Sequence, residues 1–154
     1  MKMLQWITVM LLILVTGVFW GTWFTLTRTI DAIPPESFIL IGKTIIRNVA
    51  IPMSIIMPAT ILCLVVLLWR SVKFQKVFFN FSLATLILFV LALVITVGIE
   101  VPIDNQIKTW TISTIPSNWE TLRAKWEFYH TLRTFISIAA TGCFIAGILK
   151  KPAY

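Results

Sequence analysis

A chain of 154 residues that is 58% hydrophobic, only 12% charged and of mean hydropathy +0.93 holds one domain and is too apolar for a typical water-soluble one. Its net charge of +7 does not indicate nucleic-acid binding, because the basic residues form no single interleaved patch. Cys63 and Cys143 stand alone in apolar runs with no Cys-x-x-Cys, which disfavours disulfide exchange and leaves them as small apolar side chains.

The first apolar run, residues 4–24, is about 31 Å long as a helix and crosses a hydrocarbon core. Bulky Phe19, Trp20 and Trp23 occupy the place of a small-residue cleavage site, so the run is expected to be a retained span rather than a signal peptide. Within it, Gly17 and Gly21 make a G-x-x-x-G step that predicts close approach of another helix. The second span, 51–69, contains Pro52 and Pro58, which predict a kink, and its helical pattern extends back to Glu36. The third span covers 77–98. Before the fourth, at 132–149, Ser117 and Glu120 after Pro116 read as a capping box that starts a helix running on to Leu149. Such a helix is roughly 50 Å long and exceeds the bilayer by about 20 Å. Helices 2 and 4 are therefore expected to project beyond the membrane on one side. Were they antiparallel neighbours, Cys63 and Cys143 would lie at similar depth.

Charge selects that side. With four spans, Lys2, Arg70, Lys73, Lys76, Lys150 and Lys151 share one face with no acidic residue, whereas the segments 25–50 and 99–131 mix both signs. The positive-inside rule then predicts a multi-pass protein of the cell membrane, with both termini cytoplasmic and those two segments outside. Trp6 and Trp69 would anchor the inner interface, and Trp20, Trp23, Trp110 and Trp119 the outer one. The fold class expected is all-α, a single-domain membrane four-helix bundle.

The fourth helix carries the most informative pattern. At about 100° per residue, Trp119, Arg123, Trp126, His130, Arg133 and Ser137 fall on one face, with Thr141 nearly continuing it. Ionisable groups at the membrane boundary are costly against lipid, so this face should turn into the bundle. Arg28, Arg47 with Asn48 beside it, and Glu100, Asp104 and Asn105 around Pro102 are expected in the same layer. Glu100, with Asp31 and Glu36, should pair with Arg28, Arg47 or Arg133. A lone histidine makes a poor metal site, and no metal or cofactor is expected.

At these residues the sequence resembles the anthrone oxygenase-like family of small membrane proteins. The likeness rests on Val101, Pro102, Ile103, Asp104 and Asn105, and on Trp119 to Trp126 with His130, Arg133 and Thr134. The stretch 17–24 and Asn48 before the proline-containing span look similar too. The family more often reads Pro-Leu-Asn after span 3; here Asp104 separates Ile103 from Asn105. The resemblance implies a four-helix membrane bundle and, for some fungal relatives, cofactor-free oxygenation of an anthrone to an anthraquinone.

These residues support two functional readings. In the first, a membrane-embedded oxygenase or related oxidoreductase acts on a hydrophobic aromatic or quinone-like molecule. His130 is its base, Arg133 and Asn105 stabilise the anion, and Trp119, Trp126, Arg123, Arg28, Arg47, Asn48 and Glu100 line the substrate site. In the second, the same residues form a structural cap on a non-catalytic protein that binds a membrane lipid or a partner, or assists transport. A homo-oligomer is compatible with either reading.

Overall fold

The computed structural model describes residues 1–71 and 76–150. Lys73 and Lys151, two of the basic residues assigned to the acid-free face, lie outside the described residues. Five α-helices account for most of the chain: α1 (Lys2–Thr25), α2 (Pro35–Ser71), α3 (Lys76–Ile95), α4 (Val101–Thr109) and α5 (Trp119–Leu149). A 3₁₀ segment, Thr27–Ala32, follows α1, and a π-helical turn, Thr96–Glu100, joins α3 to α4. The chain thus folds into four helical columns, each long and apolar enough to cross a membrane, with no strand among the described residues.

Local chemistry explains the breaks. Ile33 is extended (φ −90°, ψ 122°), as the residue before a proline prefers to be, and Pro35 then occupies the first position of α2, where its missing N–H is no loss. Pro52 and Pro58 lie inside α2, yet the helix continues through both. Ser54 donates its hydroxyl to the Ile51 carbonyl at 2.8 Å, and Thr60 donates to that of Ile56 at 2.7 Å, so both hydroxyls are satisfied within the helix. The expected capping box does not form. Asn118 is the N-cap and makes no side-chain bond; α5 begins at Trp119, one residue later than the box requires. The third column also outruns its expected end at residue 98, carrying on through the π turn and α4.

Around the bundle, α1 lies against α2 and α5, and α3 against the same two. That places α2 and α5 diagonally, so the condition under which Cys63 and Cys143 were compared in depth, neighbouring helices, is not met; both are free and half-buried. At 1.5 Å per residue, the 37 residues of α2 span about 55 Å and the 31 of α5 about 46 Å, more than a hydrocarbon core of about 30 Å.

Two cores result. Nearer the termini, Leu12, Val15, Leu64, Phe89, Ala140 and Phe144 pack an apolar interior. At the far end Ile30, Phe38, Ile103, Ile107, Trp110 and Trp126 form a second one. Trp110 is therefore a core residue and not an interfacial anchor, whereas Trp6 and Trp69 point outward. The close helix approach is also elsewhere than predicted. A Cβ on Gly17 or Gly21 would meet nothing within 4 Å, but one on Gly147 would come within 2.6 Å of Phe81 Cβ. Small size is required at Gly147, between α5 and α3.

Candidate functional site

Where α3 gives way to α4, the backbone ladder changes. Pro102 has no N–H to donate one turn back, and the chain takes up a π turn over Thr96–Glu100. A π turn holds about one residue more than an α turn and so rotates the helix beyond it by roughly 100°. The inward row Thr85, Phe89, Ala92 then continues through Glu100, Ile103 and Ile107. Without that turn, Glu100 would lie well off the row. The π turn delivers a carboxylate to the bundle interior.

α5 supplies its partners. Trp126, His130, Arg133 and Ser137 are all buried on its inner face, and Trp119, Arg123 and Thr141 are half-buried on the same face. Glu100 is 0% exposed, His130 1% and Arg133 8%. Arg133 Nη2 stands 2.8 Å from Glu100 Oε2, an ion pair inside the fold. The guanidinium also donates to His130 Nδ1, from Nη2 at 2.8 Å and Nε at 3.3 Å, and from Nη1 to Thr96 Oγ1 at 3.0 Å. Phe19 lies under it, 4.4 Å from Cζ to ring centroid.

A guanidinium only donates, so His130 Nδ1 accepts, and the imidazole proton resides on Nε2. There it donates to the Phe19 carbonyl at 3.2 Å. The ring stacks on Trp126 at 4.8 Å and 7°, and meets Phe19 edge-on at 6.3 Å. Thr134 closes the arrangement, donating to the His130 carbonyl at 2.7 Å. Both imidazole nitrogens are thereby engaged. Glu100 differs: neither carboxylate oxygen receives an aligned hydrogen bond, although Oε2 is in ionic contact with Arg133. Oε1 is a fully buried acceptor without a partner.

The other expected site residues distribute unevenly. Arg123 pairs with Asp31 at 2.9 Å, reaches the Ile30 carbonyl at 3.3 Å and lies over the Trp119 ring. Trp119 itself faces Phe38 of α2 at 6.0 Å. Arg28 is exposed and rests on Trp23 and Phe24, so it does not enter the bundle. Arg47 and Asn48 are exposed as well, because Ile46 takes the inward position on that turn of α2. Asn105 is also exposed, taking a hydrogen bond from Lys108 Nζ at 2.9 Å, and cannot stabilise an anion inside the bundle. Its neighbour Asp104 faces inward instead and accepts from Trp126 Nε1 at 3.2 Å.

Asp104 is thus the functional neighbour that the sequence pattern places near the site but passes over for Asn105. Counting one helical turn from Glu100 identifies it. Among the described residues no three His, Cys, Asp or Glu side chains are grouped as a metal ion would need.

A separate apolar groove of about 300 Å³ lies between α1 and α5, lined by Ile13, Thr16, Gly17, Trp20, Ile138 and Thr141. Thr16 and Thr141 join across it at 2.9 Å. Along α5 it begins about 12 Å from His130, two turns away.

The family model described as anthrone oxygenase matches residues 46–143, well over half of the chain. The matched stretch contains Glu100, Trp126, His130 and Arg133, while Phe19 lies outside it. No curated protein and no solved structure matches the chain.

Proposed function

The chain belongs to the anthrone oxygenase family, and from that premise we propose that it is a membrane-embedded oxygenase of a hydrophobic aromatic or quinone-like molecule. The observation that carries this reading is the buried cluster of Glu100, Arg133 and His130 between Phe19 and Trp126. An acidic methylene flanked by aromatic rings needs three things to react with oxygen directly. They are a base to remove a proton, a cation to hold the resulting anion, and a dry apolar surround that keeps water away. The cluster supplies all three from this chain's own side chains. The net reaction of the methylene with O₂ gives a carbonyl and water: one oxygen atom enters the product and the other leaves as water.

The chain sits in the cell membrane with both termini cytoplasmic. Lys2, Arg70, Lys76 and Lys150 support this orientation, since they lie at one end of the bundle with no acid among them. Outward-facing Met10, Leu14, Ile55, Leu62, Ile87 and Val94 meet lipid. A reporter that works only in the cytoplasm should give signal when fused after Tyr154, and signal from a periplasm-only reporter there would reverse the orientation.

The saturated hydrogen bonding of His130 favours a second reading, in which the cluster is a structural cap. The two are separated by incubating the detergent-purified protein with anthrone and recording oxygen uptake and anthraquinone absorbance. The oxygenase reading expects both signals above the spontaneous rate, and their loss in Arg133→Met. Wild-type protein that folds, yet adds nothing to the spontaneous rate, would leave the cap.

A further inference from the structure

We infer that Glu100, not His130, is the base that takes the substrate's proton, with Arg133 as the counterion of the anion formed and His130 as a positioning residue. The inference rests on the oxygenase reading and assigns its chemistry to atoms. A base needs a lone pair free to receive a proton. His130 has one basic nitrogen, Nδ1, and Arg133 donates to it at 2.8 Å; its other nitrogen carries the proton given to the Phe19 carbonyl. Glu100 Oε1 has no hydrogen-bond partner and is enclosed in the fold. A buried carboxylate oxygen without a partner is unfavourable unless something else uses it.

Charge conservation points the same way. Before reaction Glu100 and Arg133 form an ion pair, 2.8 Å apart at Oε2 and Nη2, with Asp104 one turn further along the same face. If Glu100 removes the proton, it becomes neutral and the substrate becomes the anion. Arg133 then exchanges one negative partner for another, and the number of buried charges does not change. If His130 removes it, an imidazolium forms directly against the guanidinium, and two further charges appear in an apolar interior. In a low-dielectric site the first course is strongly favoured.

The remaining steps balance on the same two side chains. The carbon anion adds O₂ to give a peroxide anion, with O₂ as the oxidant. Glu100 returns its proton to the distal oxygen and regains its charge against Arg133. Loss of water from the hydroperoxide, breaking the O–O bond and the second C–H bond, leaves the carbonyl. His130 holds Arg133 in register by accepting from both Nε and Nη2. Oε1 is enclosed, so substrate access to it requires the side chains packed around it to move.

The test separates proton removal from oxygenation. Under nitrogen, in deuterated buffer, the exchange of anthrone's methylene hydrogens is followed by NMR with wild-type, Glu100→Gln, Glu100→Asp and His130→Gln proteins. Anthraquinone formation is then measured in air. Wild type should accelerate exchange. Glu100→Gln should lose about 10²–10⁴-fold of the enzymic acceleration, while Glu100→Asp recovers part of it and His130→Gln, which only disturbs the register of Arg133, loses distinctly less than Glu100→Gln. Tryptophan fluorescence with added anthrone, together with thermal unfolding, establishes that each variant is folded and binds. Should Glu100→Gln fail to fold, the comparison of Glu100→Asp with His130→Gln decides. Exchange lost in His130→Gln and kept in Glu100→Gln or Glu100→Asp overturns the assignment. Exchange without anthraquinone in air would sustain Glu100 as the base and overturn the oxygenase reading. Wild type that catalyses neither overturns both.

Discussion

The two ends of this bundle solve the same problem by different physics. Helices in lipid gain little from hiding apolar surface, since the tails are as apolar as the core, and they associate through fit and through polar contacts. Near the termini the fit is steric: Phe81 and Phe78 crowd against Gly147, Phe78 packs on Phe144, and the helices meet where a side chain is missing. At the far end α1, the third column and α5 are tied by a single guanidinium, which contacts Glu100, His130, Thr96 and the face of Phe19. Between the two ends, Thr16 joins Thr141, and Thr85 donates to the Ala140 carbonyl at 3.3 Å. Shape holds one end and charge the other. The charged end is the one that gathers acid, base and cation in one place.

The largest effect is expected from breaking the charged end. Arg133→Leu leaves Glu100 without its cation inside the fold, a loss of about 3–5 kcal/mol in stability. Changing both partners to methionine should restore much of it, because a buried ion pair replaced by apolar groups of similar size is often neutral. Thermal unfolding in one detergent measures all three proteins. A double variant no better than Arg133→Leu would show that Thr96 and His130, rather than the ion pair, dominate that end.

A smaller effect should mark the steric end. Gly147→Ala places a methyl group 2.6 Å from Phe81 Cβ, an atom fixed to the backbone that cannot swing away. The helices must part, at a cost of about 1–3 kcal/mol. Gly17→Ala and Gly21→Ala meet nothing, and by removing a helix glycine should stabilise by up to about 1 kcal/mol. Equal behaviour of all three variants in the same unfolding measurement would break the distinction between a packed and an open glycine.

Those glycines also show how much the sequence can reveal. The four spans were legible because hydrophobic runs of that length have one stable solution in lipid. The inner face of α5 was legible for a related reason: an unbroken helix keeps its 100° step, so Trp126, His130, Arg133 and Ser137 were bound to align. Which face of α1 met a neighbour was not legible. A G-x-x-x-G step says where a helix could approach, not which way the helix turns, and here it opens onto the groove at Gly17. The pairing of Glu100 with Arg133 was among the alternatives the charges allowed, but the register beyond it was lost. Pro102 was visible; the π turn that accompanies it was not, and its one extra residue brings Glu100 rather than Ile99 onto the inward row, with Asp104 one turn further on.

A pair of neighbouring substitutions tests that register directly. Asp104 and Asn105 are adjacent, similar in size and both polar, so composition cannot tell them apart. Asp104 Oδ1 accepts the Trp126 indole N–H at 3.2 Å, and Trp126 is buried and stacked on His130. Asp104→Ala strands that N–H and should destabilise by about 1–3 kcal/mol. Asn105 is exposed and touches Lys108 on its own helix, so Asn105→Ala should stay within about 0.5 kcal/mol. Turnover of anthrone should keep the same order, falling in Asp104→Ala as the Trp126–His130 stack loosens and holding steady in Asn105→Ala. The reverse order, with Asn105→Ala the more damaging, would mean that α4 is rotated by about one residue. Glu100, one turn before Asp104 on the same face, would then no longer point at Arg133.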